Sequence, residues 1–311
     1  METALRRNRR ARRSAIGALT LGFALAACGP GPAMSAVHAR SCAKTLAASI
    51  SGNVTNPAIT EASGIVASRT QPGIFWVHND SGDTARIFAI DNTGATRATY
   101  NFVGISAYDW EDIALGPGPI AGVDYLYVGD IGDNSKVRTS VQIYRVPEPV
   151  VPAGTGNYSL AGVQRADLAY PNGARNAESL LVDPRNGEIT IVMKRTSTEP
   201  IRIYRAPANL ANNSSATMTD VGQLGLPGTA SNATGIDMSR DAKTIAVRTY
   251  GNVFTYNVVA GATVQSALAT LPCTANAAAE LQGEAIAFHS DDLGFVTLSE
   301  GTNQPLNQRD V

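Results

Sequence analysis

The sequence predicts an all-β fold, a single β-propeller of five blades. Three observations support this prediction. Apolar runs of four to six residues, rich in β-branched and aromatic side chains, alternate with Gly, Pro, Asn and Asp. The pattern of strand, turn, strand and polar loop returns five times along the chain. No stretch has the length and periodicity of an ordinary helix, and repeats of several short strands are typical of propeller blades.

Each repeat unit starts with an acidic or hydroxyl residue, which is followed by an apolar strand. The unit starts, separated by 50, 67, 56 and 50 residues, are Glu61, Glu111, Glu178, Thr234 and Glu284. This spacing accommodates one four-stranded antiparallel sheet per unit. The 67-residue second unit also leaves room for a degenerate sixth blade.

The outer strands follow from the remaining apolar runs. Fourth strands are predicted at 96–102, 166–170, 218–224 and 264–271. The last unit has no outer strand of its own, whereas an apolar segment at 46–54 precedes the first unit. We therefore expect this N-terminal strand to complete the last blade, because a closed ring leaves no open sheet edge. The Ala-rich stretch at 277–281 is expected to form one helical turn.

The first 27 residues are predicted to be an export signal. Six Arg lie between Arg6 and Arg13, and the apolar stretch at 15–24 has signal-peptide length, too short to span a bilayer. Leu25-Ala-Ala-Cys28 resembles the lipobox of bacterial lipoproteins. This implies lipidation of Cys28 and anchoring to the outer face of the bacterial cell membrane. An ordinary signal peptide is the alternative, and the Arg-rich start fits general or twin-arginine export. Residues 28–45 are predicted to be a tether and residues 46–311 the propeller.

The charge balance argues against nucleic acid as a partner. The chain has 25 Lys+Arg and 26 Asp+Glu, and removal of six Arg and Glu2 with the export signal leaves 19 against 25, a net charge of −6. A phosphate backbone demands clustered Lys and Arg, whereas an acidic domain suits cations. We expect a monomer that contacts the membrane only through its lipid anchor and binds a small anionic or cell-envelope ligand.

Two cysteines remain if Cys28 carries lipid. An oxidising exterior allows Cys42 and Cys273 to pair, which ties the start of the domain to its last quarter. In the chain-entropy model so long a loop is worth roughly 5 kcal/mol at most. The two residues are expected near opposite rims of the propeller, so two free thiols are the alternative.

Propeller geometry gathers the unusual polar residues on one rim. The innermost strand of a blade starts there beside the central channel, and the second strand returns there. Carboxylates that converge on the channel repel one another unless they are protonated or bridged by a cation. Ca²⁺ or another divalent cation suits their oxygens, whereas the three histidines of the chain are not placed as a zinc triplet. The predicted metal ligands are Glu61, Asp80, Asp83, Glu111, Asp112, Asp130, Asp133, Asn134, Glu178 and Glu284.

Other side chains of this rim are candidates for chemistry or for ligand binding. The chain has no Gly-x-Ser-x-Gly elbow, so metal-activated water with a carboxylate or histidine base is the economical mechanism. The candidate catalytic residues are Glu178, Glu284 and His78. The candidate ligand-binding residues are Trp110, Lys194, Arg195, Arg248, Tyr250 and Glu300. The alternative is that the acidic residues cap backbone amides and that the basic ones are solvated loop charges.

Four segments carry a resemblance to known proteins. They are Glu61-Ala-Ser-Gly-Ile, Trp110-Glu-Asp-Ile-Ala, Glu178-Ser-Leu-Leu-Val-Asp and Gly283-Glu-Ala-Ile-Ala-Phe. Over residues 58–305 the chain resembles bacterial exported propellers of the phytase-like, gluconolactonase-like and NHL-type neighbourhood. The resemblance implies an acidic, often calcium-binding site at the channel mouth. The fourth unit departs from the pattern with Thr234 and Asp237, and the phytase-type Asp-Asp-Pro-Ala signature is absent.

Two functions are compatible with this sequence. The first is a lipid-anchored propeller with a divalent-metal site that hydrolyses a phosphoester, an ester or a lactone. The second is a non-catalytic propeller that binds a cell-envelope glycan, peptide or protein through the same rim. A deep channel pocket with a metal favours the enzyme, and a flat rim rich in aromatic residues favours the binding protein.

Overall fold

The computed structural model describes residues 34–195, 199–227, 232–275 and 277–311. Within them the chain folds as an all-β propeller of five blades, which confirms the predicted fold class. Helix α1 spans Ala36–Ala43 and strand β1 spans Ala47–Val54, both ahead of the first blade. None of the helices in these residues has the length and apolar character needed to cross a membrane.

The first two blades are each built from four antiparallel strands. The strands in this part of the chain are β2 at Ala62–Ala67, β3 at Ile74–Asn79, β4 at Arg86–Asp91, β5 at Thr96–Phe102, β6 at Trp110–Pro117, β7 at Asp124–Asp130, β8 at Val141–Pro147, β9 at Gly156–Leu160 and β10 at Gln164–Ala169. β2 to β5 form the first blade, and β6, β7, β8 and β10 form the second.

The last three blades follow the same plan. Their elements are β11 at Ala177–Val182, β12 at Ile189–Met193, β13 at Arg202–Ala206, β14 at Ser214–Thr217, β15 at Thr219–Gln223, β16 at Ala233–Met238, β17 at Thr244–Thr249, β18 at Val253–Asn257, helix α2 at Val264–Leu268, β19 at Cys273–Ala275, β20 at Gly283–Phe288, β21 at Gly294–Ser299 and β22 at Gln304–Asp310. The third blade is β11, β12, β13 and β15, the fourth is β16 to β19, and the fifth is β20 to β22 with β1.

The first strands of the five blades line the central channel. They contact one another in the order β2, β6, β11, β16 and β20, and β20 contacts β2 again. Each of five buried apolar clusters lies between two neighbouring blades, for example around Trp76 and Trp110 between the first and second. Because both faces of a blade are covered, the inner strands are apolar runs without a polar alternation.

The N-terminal strand closes the ring, as predicted. β1 pairs antiparallel with β22 from Ala47 opposite Asp310 to Val54 opposite Gln304. The strand order of the fifth blade is therefore β1-β22-β21-β20. The first and last strands of the propeller share one sheet, so the blade that would otherwise have an open edge is complete.

The long second unit does not contain a sixth blade. Its additional residues form β9, which pairs in parallel with β5 of the first blade. A similar excursion in the third unit forms β14, which pairs in parallel with β10 of the second blade. Each of these strands reaches back and covers the outer edge of the preceding blade. The alternative of six blades is wrong because the extra length protects existing edges.

The fourth blade differs from its prediction at the outer edge. The residues predicted as a strand at 264–271 begin with α2, and the fourth strand is β19. The hydroxyl of Thr263 accepts a hydrogen bond from the Ser266 amide and caps the helix. Val264, Ala267 and Leu268 repeat with helical spacing and pack into one apolar cluster. The helical turn expected at 277–281 does not form.

Helix α1 lies within the segment predicted as a tether and packs on the fourth blade. It contacts β18 and β19, and the Ser35 hydroxyl caps it by accepting a hydrogen bond from the His38 amide. Cys42 near its end forms a disulfide with Cys273 at the start of β19, with the two Cα atoms 4.7 Å apart. Helix α1 packs on the fourth blade and places Cys42 beside Cys273 before the chain enters β1. The positions expected near opposite rims therefore do not prevent the two cysteines from pairing.

Candidate functional site

Every blade has a β-bulge where its first strand begins. In the first blade the pairing of β2 with β3 shifts between Ala62 and Gly64, and equivalent shifts occur in the other four blades. A bulge inserts one extra residue into one strand of a pair, and it changes the direction in which that residue's side chain points. We call the inserted residues the bulge positions, and they are Ser63, Glu111, Glu178, Thr234 and Glu284. None of them is more than 4% exposed.

Two further sets of equivalent positions surround the bulges. The leading positions, two residues before each bulge, are Glu61, Asp109, Asn176, Asn232 and Gln282. The return positions, directly after each second strand, are Asp80, Ile131, Lys194, Tyr250 and Glu300. A backbone hydrogen bond of 2.8 Å from Asp80 to Glu61 joins the two sets in the first blade. All five leading side chains carry an oxygen that can bind a cation.

This alignment corrects the predicted equivalence of the first unit. Ser63, and not Glu61, corresponds to Glu111, so Glu61 corresponds to Asp109. Glu61 is exposed at the edge of the mouth. The three sets of positions together hold seven carboxylates and one ammonium, a formal charge of −6 if all are ionised.

The tightest acidic group at the mouth consists of Asp80, Asp109 and Glu111. One oxygen of each carboxylate lies within 4.8 Å of the others. Gly132 backs this group, and a Cβ atom built there would overlap a carboxylate oxygen of Asp109 and one of Glu111. The absence of a side chain at Gly132 thus lets the carboxylates of Asp109 and Glu111 pack against its backbone. Asp109 was not among the predicted ligands.

Burial and mutual repulsion make ionisation of these groups unfavourable. Burial, and then the charge of Asp80, raise the pKa of Asp109 to about 6. Burial, and then Glu178, hold the pKa of Glu111 well above its ordinary value. Burial also raises the pKa of Asp80. A divalent cation between them would remove the repulsion and favour the ionised forms.

Lys194 is the positive charge of the mouth. Its Nζ atom lies 2.5 Å from Oε1 of Glu178. Burial opposes the charge of Lys194, but the attraction of Glu178 outweighs it and raises the lysine pKa above its ordinary value. Burial raises the pKa of Glu178 in turn. Tyr250 is hydrogen-bonded to Lys194, and burial followed by the charge of Glu284 raises its pKa to about 12.

Glu284 is the least satisfied carboxyl group of the mouth. Its Oε2 atom is buried and has no hydrogen-bond partner in the part of the chain that the structure describes. Its Oε1 atom lies 3.5 Å from Nε2 of Gln282. Burial, and then repulsion from Glu178, raise the pKa of Glu284 to about 9. Burial also raises the pKa of the neighbouring Glu300.

Asp112 lies deeper in the channel, and its carboxylate accepts hydrogen bonds from backbone amides. Its Oδ1 accepts a hydrogen bond of 2.9 Å from the Ile113 amide, and its Oδ2 accepts one of 2.9 Å from Leu180. A longer bond of 3.4 Å from the Ile236 amide reaches the same oxygen. These bonds join the second, third and fourth blades across the channel. The oxygens predicted to bind metal therefore act as backbone acceptors.

The two Asp/Gly loops are organised by their own hydrogen bonds. Asp130 is paired with Arg138 at 2.8 Å and accepts a bond from the Asp109 amide. Asp133 accepts bonds from the amides of Val137 and Arg138. These contacts hold the loop that carries Gly132 against the acidic group. The oxygen cage predicted at Asp130 and Asp133 is a hydrogen-bonded turn that shapes the mouth.

Two other predicted ligands are in similar turns. Asp83 accepts hydrogen bonds from Nδ2 of Asn79 at 2.7 Å and Nε of Arg86 at 2.9 Å. Burial alone would raise the pKa of Asp83, but these bonds outweigh it and lower the pKa below its ordinary value. The exposed Asn134 accepts a bond of 3.1 Å from Nδ2 of Asn176. Neither side chain joins the acidic group.

His78 and Trp110 belong to the core and not to the rim surface. His78 is fully buried, and its Nδ1 atom lies 2.8 Å from the Asn79 carbonyl oxygen. Its ring meets that of Trp110 edge-on at 5.7 Å, and burial lowers the histidine pKa to about 4. Both side chains are therefore shielded from solvent. The catalytic role predicted for His78 and the pocket role predicted for Trp110 find no support in this burial.

Arg248 is also buried, and it is paired. Its Nη2 atom lies 2.8 Å from Oε2 of Glu280, whose Oε1 accepts hydrogen bonds from Thr297 and Asn307. These contacts fasten the fourth blade to the fifth. Arg248 is thus buried inside the protein and not on the rim surface, whereas Arg195 is exposed. Glu280 was missed because it lies in the Ala-rich stretch that was expected to be a helical turn.

Comparison with known proteins does not assign a family. No protein-family model matches the chain. No curated protein matches it either. The proposals below therefore rest on the channel mouth and on the N-terminal sequence.

Proposed function

We propose that this protein binds a divalent cation at the mouth of the propeller channel, with Asp80, Asp109 and Glu111 as ligands. The observation that carries the proposal is the convergence of three carboxylate oxygens within 4.8 Å of one another. Glu111 is 4% exposed and Asp109 7%, so water screens their repulsion poorly. Buried carboxylates in contact are stable when a cation or a proton is shared between them.

The donor set favours Ca²⁺. All the side-chain donors at the leading and bulge positions are oxygens, and nitrogen and sulfur ligands are absent from these ten positions. Ca²⁺ binds six to eight oxygens in flexible geometry, whereas Zn²⁺ selects His and Cys. Three carboxylates supply part of such a shell, and water or a ligand supplies the rest.

The activity that we attach to this site is hydrolysis of a phosphoester, an ester or a lactone. A bound divalent ion with open coordination positions polarises an oxygen of the substrate and activates water. Glu284, with its pKa raised to about 9, carries a proton at neutral pH and is the general acid that we propose for the leaving group. Glu178 is bound to Lys194 and orients that ammonium toward the mouth.

A non-catalytic recognition role is the second candidate, and two surface features favour it. Tyr108 is 63% exposed beside the mouth, with the Arg138 guanidinium 4.8 Å above the centre of its ring. An open cleft of about 510 Å³ adjoins the first blade and includes Glu61, Asp83 and Arg86 in its lining. Charged and polar groups around such a cleft suit a polar cell-envelope ligand, and the exposed Tyr108 ring offers a separate stacking surface.

Calcium binding is tested by thermal unfolding of the purified protein after EDTA treatment. Calcium at 100 times Kd is expected to add about 2.7 kcal/mol of stability, a rise in Tm on the order of 5–10 °C. The Glu111→Gln variant should lose most of this rise. Asp291→Asn, a change at an exposed turn, is the matched control and should keep it. An unchanged Tm of the wild-type protein with calcium and with EDTA would contradict the proposal, and a panel of phosphatase, esterase and lactonase substrates separates the two functions.

We also propose that the protein is exported and lipid-anchored at Cys28, in line with its resemblance to bacterial exported propellers. The signal and Cys28 lie outside the described residues. The Cys42–Cys273 disulfide supports an oxidising compartment. In bacterial cells the wild-type protein should fractionate with membranes, and Cys28→Ala should release it. Equal fractionation of both forms would refute the anchor.

A further inference from the structure

His38 of helix α1 lies directly against the disulfide between Cys42 and Cys273. Its Nε2 atom is 3.7 Å from Sγ of Cys42 and 4.0 Å from Sγ of Cys273. The nitrogen and the two sulfurs all lie within 4.8 Å of one another. One imidazole nitrogen and two sulfurs therefore meet where α1 packs on β18 and β19, the outer strands of the fourth blade and not its channel strand.

A second contact orients the imidazole of His38. Its Nδ1 atom lies 3.1 Å from the hydroxyl oxygen of Thr255, and both residues are buried. When Nδ1 donates its proton to this hydroxyl, Nε2 carries the lone pair and lies beside the two sulfurs. Proteins hold metal-binding histidines in this way, with the other ring nitrogen hydrogen-bonded to a fixed partner.

The distances suit a zinc ion once the disulfide is reduced. Zn²⁺ binds thiolate sulfur at about 2.3 Å and imidazole nitrogen at about 2.0–2.1 Å in a tetrahedron, which places nitrogen and sulfur about 3.6 Å apart. The separations of 3.7 and 4.0 Å from Nε2 are close to this value. Only the two sulfurs must move apart, and Cys42 is exposed near the end of α1, where the core does not hold it.

We propose that reduction turns the disulfide and His38 into a zinc site, with Nε2 of His38 and the thiolates of Cys42 and Cys273 as three ligands and water as the fourth. The reductant is a dithiol or a phosphine, which reaches the exposed sulfur of Cys42. Its two electrons cleave the S–S bond, each sulfur takes up a proton, and zinc displaces both protons. The site is populated where a reductant keeps the two thiols, whereas an oxidising exterior keeps the disulfide.

The test is titration with cobalt chloride of the full-length Cys28→Ala protein, reduced by a phosphine and kept under nitrogen. Cys28→Ala removes the third cysteine of the chain. Co²⁺ substitutes for Zn²⁺ and shows charge-transfer absorption when thiolates bind it. We expect this absorption to saturate at one ion per chain, to disappear when one equivalent of zinc chloride is added, and to be absent from the oxidised protein.

Two variants separate a three-ligand site from a pair of thiols. His38→Asn keeps a polar group near the Thr255 hydroxyl but has no nitrogen at the Nε2 position, so it should bind Co²⁺ at least about tenfold more weakly. Thr255→Val removes the orienting hydroxyl and should weaken binding roughly tenfold, and it serves alone if His38→Asn does not fold. His289→Asn, at a histidine paired with Asp310, is the matched control and should bind normally.

Absence of thiolate absorption in the reduced protein would overturn the proposal. Equal affinities of the unsubstituted, His38→Asn and Thr255→Val proteins would also overturn it, because the thiols would then hold the ion without the imidazole. The cation proposed at the channel mouth does not interfere, since carboxylate ligands give no thiolate absorption. Glu111→Gln should therefore leave this titration unchanged, and failure at either site leaves the other standing.

Discussion

Replacement of Glu284 by Gln is expected to change how the stability of the metal-free protein depends on pH. Burial, and then repulsion from Glu178, raise the pKa of Glu284 from 4.5 to about 9. A carboxyl group with a raised pKa in the folded state stabilises the fold fully below its unfolded pKa. This contribution is lost as the pH rises through the folded pKa. Between pH 4.5 and about pH 9 the wild type therefore loses this contribution to its free energy of unfolding. The Glu284→Gln variant has no such contribution to lose.

The size of the effect follows from the width of this window. While Glu284 stays protonated in the folded state and ionised in the unfolded state, each pH unit is worth about 1.4 kcal/mol. Between pH 5 and pH 8 the loss is at most about 4 kcal/mol. For a domain of this size that is a change in Tm on the order of 10 °C. The side chain is 3% exposed, so solvent screening does little to reduce the effect.

The assay is differential scanning calorimetry in EDTA at pH 5, 6, 7 and 8. The Tm of Glu284→Gln minus that of the wild type should grow steadily with pH. The same difference for Thr302→Ala, a control at an exposed residue without an ionisable side chain, should stay constant. Parallel curves for Glu284→Gln and the wild type would refute the reasoning, since they would mean that Glu284 ionises as easily in the folded protein as in the unfolded chain.

Two further predictions concern the walls of the mouth. Gly132→Ala should abolish calcium binding in titration calorimetry, because its Cβ overlaps Glu111, whereas Gly154→Ala, with open space around it, should bind normally. Equal affinities would contradict the role of Gly132. Arg248→Met should lower the free energy of unfolding in urea by about 3–5 kcal/mol, because it removes the arginine partner of a buried carboxylate, that of Glu280. A loss below about 1 kcal/mol would show that this pair is not held in a dry environment.

The fold and the acidic rim could be predicted because both depend on local patterns. Strand length, turn residues and a five-fold repeat are visible in the sequence, and propeller topology then assigns strand starts and return loops to one face. Lys194, Tyr250 and Glu300 were predicted on this rim, and the structure finds them at return positions. The strand that closes the ring could be predicted from the missing outer strand of the last unit.

Other features depend on contacts that a sequence pattern does not contain. Parallel pairing of β9 and β14 with preceding blades is non-local, so the extra length could equally be interpreted as another blade. The equivalence of Glu61 with Glu111 was inferred from residue identity, whereas the β-bulge sets the true alignment two residues later, at Ser63. The burial of His78 also depends on packing against Trp110, a residue of the next blade.

The two bulge positions without a carboxylate explain how the other three are held. The Ser63 hydroxyl donates a hydrogen bond of 2.5 Å to the carbonyl oxygen of Glu111 in the next blade. The Thr234 hydroxyl donates to the carbonyl oxygen of Gly283 at 2.9 Å, directly before Glu284, and lies 3.2 Å from the carbonyl oxygen of Glu284 itself. Each hydroxyl therefore holds the bulge that carries a buried glutamate, and Lys194 holds the third glutamate, Glu178, through its side chain. Carboxylates at all five positions would add two buried charges and remove both of these supports. The departure from five-fold symmetry is thus what allows three carboxylates to face one channel.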